Sequence, residues 1–79
     1  MTILQELGEG LRRARKKNFP KDNMKSFSLR IGVSRATYQK MEKGDMSVSF
    51  QHYYEAGKLL GTETHFALLF EIEGSLFDD

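Results

Sequence analysis

The first pattern along the chain is helical. Ile3, Leu4, Leu7, Leu11 and Ala14 recur at spacings of three and four, with Glu6, Glu9, Arg12, Arg13, Lys16 and Lys17 mostly on the other faces. This predicts an amphipathic helix whose closing turns carry the basic cluster at 12–17, where cations complement the helix dipole. Thr2 with Gln5 three positions on has the form of a capping box. Pro20 ends the pattern, since it has no amide proton and biases Phe19 away from helical angles.

Asn23 is placed to cap a short second helix, about 24–31, with Phe27 and Ile31 four apart on its inner side. Gly32 suits the left-handed backbone that closes a helix, so the chain turns over residues 32–34. Ser34 then caps a third helix, 35–43, with Tyr38 and Met41 facing inward and Gly44-Asp45 closing it. Ser49 starts a fourth helix through about residue 60, with Phe50, Tyr53, Tyr54 and Leu60 as its apolar positions and Gly61 as terminator. Gly57 inside it costs about 1 kcal/mol relative to Ala, which signals that another helix passes close by. A fifth helix, about 63–73, carries Phe66, Leu69, Phe70 and Ile72. With no alternating strand pattern, repeat or low-complexity tract, the fold class is all-α: a compact five-helix domain over 1–73, followed by a short acidic and apolar tail, 74–79.

Seventy-nine residues make one domain, which buries only about 60% of its unfolded surface and gains from pairing with a second copy. The absence of cysteine excludes a disulfide framework and thiolate metal sites, and fits a reducing, cytoplasmic location. No apolar run reaches the roughly 18 residues of a membrane span, and residues 1–20 lack a signal-peptide stretch, so no membrane is expected. The net charge of +1 conceals a division. Residues 1–43 hold eleven Lys/Arg against four acids, a surplus of seven positive charges, whereas residues 44–79 hold one against seven. A basic front with an acidic back lets a protein meet a polyanion on one side only.

Catalysis is not expected. His52 and His65 are the only histidines, thirteen residues apart on different helices, and without cysteine they form neither a zinc pattern nor an acid–base pair. The seven glycines do not group into a phosphate cradle, and neither a GxGxxG pattern nor a Walker lysine is present. No cofactor or metal is implied.

The informative stretch is residues 27–44. Two short helices joined by a turn of three or four residues cross at about 90–120° when the turn contains Gly and a small residue stands where they touch. Gly32 is that glycine and Ser28 that small residue; Val33, Tyr38 and Met41 then fix the second helix to the core, leaving Arg35, Ala36, Gln39 and Lys40 outward. With Gly32-Val33-Ser34-Arg35, Met41-Glu42-Lys43-Gly44, Ser49-Phe50 and Leu59-Leu60-Gly61, the chain resembles the lambda-repressor/Cro-like helix-turn-helix family, the xenobiotic-response-element type of regulator, over roughly residues 3–70. The resemblance implies that helices 2 and 3, about 23–43, form the helix-turn-helix, that Arg35, Ala36, Gln39 and Lys40 read base edges, and that Arg15 pairs with Glu42. It gives Asn23, Lys25, Ser34, Lys43 and Ser47 to phosphate. The chain departs from the family at Ser28, usually alanine, and at Met24, often glutamine, and its first connection, 18–22, is about two residues longer, so Lys21 or Lys25 takes over phosphate contact there.

The function this implies is a transcriptional regulator, a repressor that binds double-stranded DNA at a palindromic operator as a homodimer. The alternative is the antitoxin of a toxin–antitoxin pair, which binds its own operator while its acidic, apolar C-terminal segment masks a toxin partner. Six large apolar residues, Phe66, Leu69, Phe70, Ile72, Leu76 and Phe77, fall within twelve positions, more than one short helix buries against its own domain, and are expected to form the dimer interface.

Overall fold

A computed structural model of the chain describes residues 1–72. Among them there are helices and no strands: α1 (Ile3–Asn18), α2 (Met24–Ile31), α3 (Arg35–Met41), α4 (Phe50–Leu60) and a 3-10 helix (Glu63–Leu68). The helix starts follow the predicted chemistry. Thr2 and Gln5 form a reciprocal capping box on α1, Asn23 and Ser26 do the same on α2, and the Ser34 and Ser49 hydroxyls accept amide protons from Thr37 and Gln51. Gly32 and Gly61, at φ 74° and 76°, close α2 and α4 in the left-handed region.

The core lies where α2, α3 and α4 meet, around Phe27, Ile31, Tyr38, Met41, Val48, Tyr53 and Ala56, with Leu11, Phe19, Met24, Val33, Leu60 and Phe66 packed at its margin. Phe27 is edge-on to Phe19 and tilted against Tyr38, with ring centroids 5.5 and 5.2 Å apart. Ser28 is buried between α2 and α3, and its hydroxyl is satisfied by donating to the Lys25 carbonyl at 2.7 Å.

Several expectations need correction. Helical spacing gives α1 an apolar stripe, yet Leu4 and Leu7 are 43% and 44% exposed and Ile3 more so. What α1 buries is Gly8 and Arg15. A Cβ on Gly8 would overlap the Glu42 carbonyl, and one on Gly44, at φ 73°, would overlap the Leu4 carbonyl, so α1 rests backbone to backbone on the turn after α3. Helix α3 ends at Met41, two residues short of the expected end, because the chain tightens into a turn in which Lys43 N donates to Lys40 O and Gly44 N to Met41 O. Phe50 and Tyr54, expected in the core, are exposed on α4, where they pack edge-on against Phe66. The fifth helix is a 3-10 helix that stops at Leu68; Thr62 gives it no side-chain cap, and no residue in it is buried. The close neighbour signalled by Gly57 is this element, since a Cβ there would meet the Phe66 ring edge at 2.7 Å.

Candidate nucleic-acid interface

Helix α3 has seven residues with opposite duties on its two sides. Inward, Tyr38 and Met41 have no exposed surface. Outward, Arg35, Ala36 and Lys40 are exposed, with Gln39 half-buried beside them. The helix starts at Ser34, whose hydroxyl accepts from Thr37 N and donates to Thr37 Oγ1, both at 3.0 Å. Ahead of it lies the three-residue turn 32–34, tied by Val33 N donating to Ser28 O at 3.1 Å.

Its far end is held by a buried polar cluster. Arg15 Nε donates to Glu42 Oε2 at 2.8 Å, and both side chains are less than a tenth exposed. The Tyr38 hydroxyl donates to the same Oε2 at 2.5 Å, and Arg15 Nη1 donates to the Asp22 carbonyl at 3.2 Å. One guanidinium thereby joins α1, the α1–α2 connection and the end of α3. Burial works against the Arg15 charge, but the Glu42 carboxylate outweighs it and its pKa is raised overall. Burial also pushes the Tyr38 phenol well above its ordinary value, reinforced by its hydrogen bond to Glu42. Among the described residues no buried side-chain nitrogen or oxygen lacks a partner.

The charge division is sharpened by which cations are already engaged. Arg15 is taken by Glu42, and Arg30 by Asp22 (2.5 Å), with its guanidinium 4.6 Å from the Phe19 ring centroid. The hydrogen bond from Arg30 holds the Asp22 carboxyl below its usual range. Lys25, Arg35, Lys40 and Lys43 are exposed and enter no ion pair among the described residues. Asn23 is exposed, its side-chain oxygen accepting from Ser26 N at 2.8 Å. Ser47 is exposed, but its amide donates to Asp45 Oδ1 at 2.8 Å; hydrogen bonds with Ser47 lower the Asp45 pKa, with a smaller contribution from the field of Lys40.

The expected ion pair of Arg15 and Glu42 is therefore present. The third member, Tyr38, escaped the sequence reading, although its position four residues before Glu42 puts the two on one helix face. Gly8 and Gly44 escaped as well: Gly8 interrupts the α1 pattern as Gly57 interrupts α4, and the same reasoning applied to it points to a close approach. Of the expected interface residues, Phe66 packs within its own chain, Leu69, Phe70 and Ile72 are exposed, and Leu76 and Phe77 lie outside the described residues. Compared with known proteins, the chain matches no family model, and neither a curated protein nor a solved structure is significantly similar to it.

Proposed function

We propose that the chain is a sequence-specific double-stranded DNA-binding regulator, a repressor that acts as a homodimer on a palindromic operator, with α2 and α3 as a lambda-repressor-like helix-turn-helix. The observation that carries this reading is the outward side of α3: Arg35, Ala36 and Lys40 are exposed and unengaged, on a helix whose inner side is wholly buried. A major groove about 12 Å wide admits an α-helix. Arg35, in the first turn of α3, meets base edges, its fork-shaped guanidinium matching the O6 and N7 acceptors of guanine. Ala36 meets a thymine methyl, and Gln39 and Lys40 extend the contact. Lys25 and Lys43 neutralise phosphates, and Asn23 and Ser47 add polar contacts to them. Ser34, whose hydroxyl is engaged in the cap, fixes where α3 begins. The reading involves no catalysis and no cofactor.

Selection of bound sites from random duplex DNA tests it. A palindromic consensus is expected, with half-sites about 34–36 Å apart. Arg35→Ala should cost about 1–3 kcal/mol and relax one position of the site, whereas Lys43→Ala should weaken all sequences alike and lower the salt slope by about one. No enrichment at any salt concentration would sink the proposal.

A further inference from the structure

Beyond the α2–α3 unit, the second half of α1 carries a concentration of charge that the reading above leaves unused. Arg12, Arg13, Lys16 and Lys17 are all exposed and enter no ion pair among the described residues. The fold gives two of them different surroundings from the other two. Seven residues make two helical turns less about 20°, so positions seven apart on α1 share a flank. Gln5 and Glu9 line an open recess together with Glu42 and Lys43, which places their flank of α1 beside the turn that ends α3. Arg12 and Lys16, seven positions further on, continue that flank. Glu6 and Gly10 line instead the groove that α1 forms with Tyr53 and Phe66. Arg13 and Lys17, seven positions on from these, continue the second flank.

We infer that Arg12 and Lys16 contact the DNA phosphate backbone beside Lys43, so that the footprint of the protein extends from the helix-turn-helix onto α1. This rests on the DNA reading above and adds a surface to it. Lys43 is exposed and follows directly on α3, so a backbone that meets it passes along the edge of the first flank. Arg12 and Lys16 stand four apart, where neighbouring Cβ atoms are about 5–6 Å from each other, and so present two cations in a row. Their direction is fixed. Gly8 seats α1 on the Glu42 carbonyl, and Arg15 is tied to both Glu42 and the Asp22 carbonyl, so the helix cannot roll without breaking these contacts. Nearby acids do little to cancel the charge. Glu42 accepts from Arg15 and Tyr38, and Asp22 is held by Arg30, which leaves Glu9, half-buried one turn before Arg12. Glu9 confines the contact to the second half of α1.

The test compares two pairs of substitutions that remove the same charge from the two flanks. The probe is the duplex site that the wild-type chain selects, titrated with the full chain between about 50 and 200 mM salt. Arg12→Gln with Lys16→Gln should weaken binding to all sequences alike and lower the salt slope by about two per bound protomer, with the preferred sequence unchanged. Arg13→Gln with Lys17→Gln should leave the slope at its wild-type value. All four positions are exposed, so both variants should melt with the wild type. Ethylation of single phosphates supplies a second readout: those whose ethylation blocks the wild type but not the Arg12/Lys16 variant should adjoin the ones that Lys43→Ala no longer needs. A slope that falls as far for the Arg13/Lys17 pair means that α1 acts through its field alone, and overturns the inference. So does an unchanged slope for the Arg12/Lys16 pair, or ethylation interference identical to wild type. A site selected and bound with these results sinks the inference and leaves the DNA reading standing; no selected site at all sinks both.

Discussion

Around α2 and α3, Phe27, Tyr38 and Met41 are wholly buried and each polar group taken inside has a partner, whereas along the first turns of α1 and from Leu68 to Ile72 the large apolar residues stay exposed. The exposed stretches are the richer of the two in apolar residues. The two regions differ in what seats them: the first is closed by a guanidinium, a carboxylate and a phenol that fix three segments at once, and the second has neither a polar tie nor a covering helix. Apolar content alone does not place a residue in a core. A second surface must be held against it, and here that surface is positioned by two glycines and one ion pair.

The largest way to break the contrast is at the glycine seat. Gly44→Ala places a side chain at φ 73° against the Leu4 carbonyl and should cost more than about 3 kcal/mol, lifting α1 from the turn, which denaturant unfolding would register. Next comes the polar cluster. Arg15→Met or Glu42→Leu alone should cost about 3–5 kcal/mol, because each strands a buried charge, and the double variant should recover most of that. Recovery should stay incomplete by about 1–3 kcal/mol until Tyr38→Phe is added, since the phenol would otherwise be a buried donor without an acceptor. If all of these variants melt at the wild-type temperature, the cluster does not hold the region together.

A smaller effect concerns pH. The folded state keeps the Tyr38 proton well above the ordinary phenol value of 10.0, so above about pH 10 the unfolded chain releases a proton that the native state retains. The stabilisation is complete below that pH and is lost as pH rises past it. Tyr38→Phe should make the alkaline limb of the stability profile shallower without flattening it, because burial and the nearby Asp45 raise the Tyr53 phenol too. An unchanged limb would show that Tyr38 ionises as freely folded as unfolded. The smallest effects belong to the exposed region: Leu68→Ser or Leu69→Ser should move the stability of the isolated protomer by about 0.5 kcal/mol or less.

Local chemistry was legible in the sequence, and distant contacts were legible only in part. Thr2, Asn23, Ser34 and Ser49 each started the helix their type predicts, because capping depends on two or three adjacent residues. The outward side of α3 followed from Tyr38 and Met41 taking the inside. The exposure of Leu4 and Leu7 was not legible, since helical spacing defines an apolar face without saying whether another element reaches it. Nor was the 3-10 helix: the apolar positions after residue 62 satisfy a helical pattern, but with no side-chain cap and with Phe66 the one among the described residues that packs on the core, they gain too little to extend it.

Seven residues are about two turns, too few to stay helical in water unaided, so α3 exists only through what its inner side touches. Yet the side chains of Arg35, Ala36 and Lys40 form no hydrogen bond or ion pair among the described residues. The positions that create the helix and the positions that face outward from it are thus separate sets. Heritable change can accumulate at the second without touching the first. A lineage carrying this domain can alter whatever α3 meets one residue at a time, and no intermediate step need pass through a poorly folded ancestor.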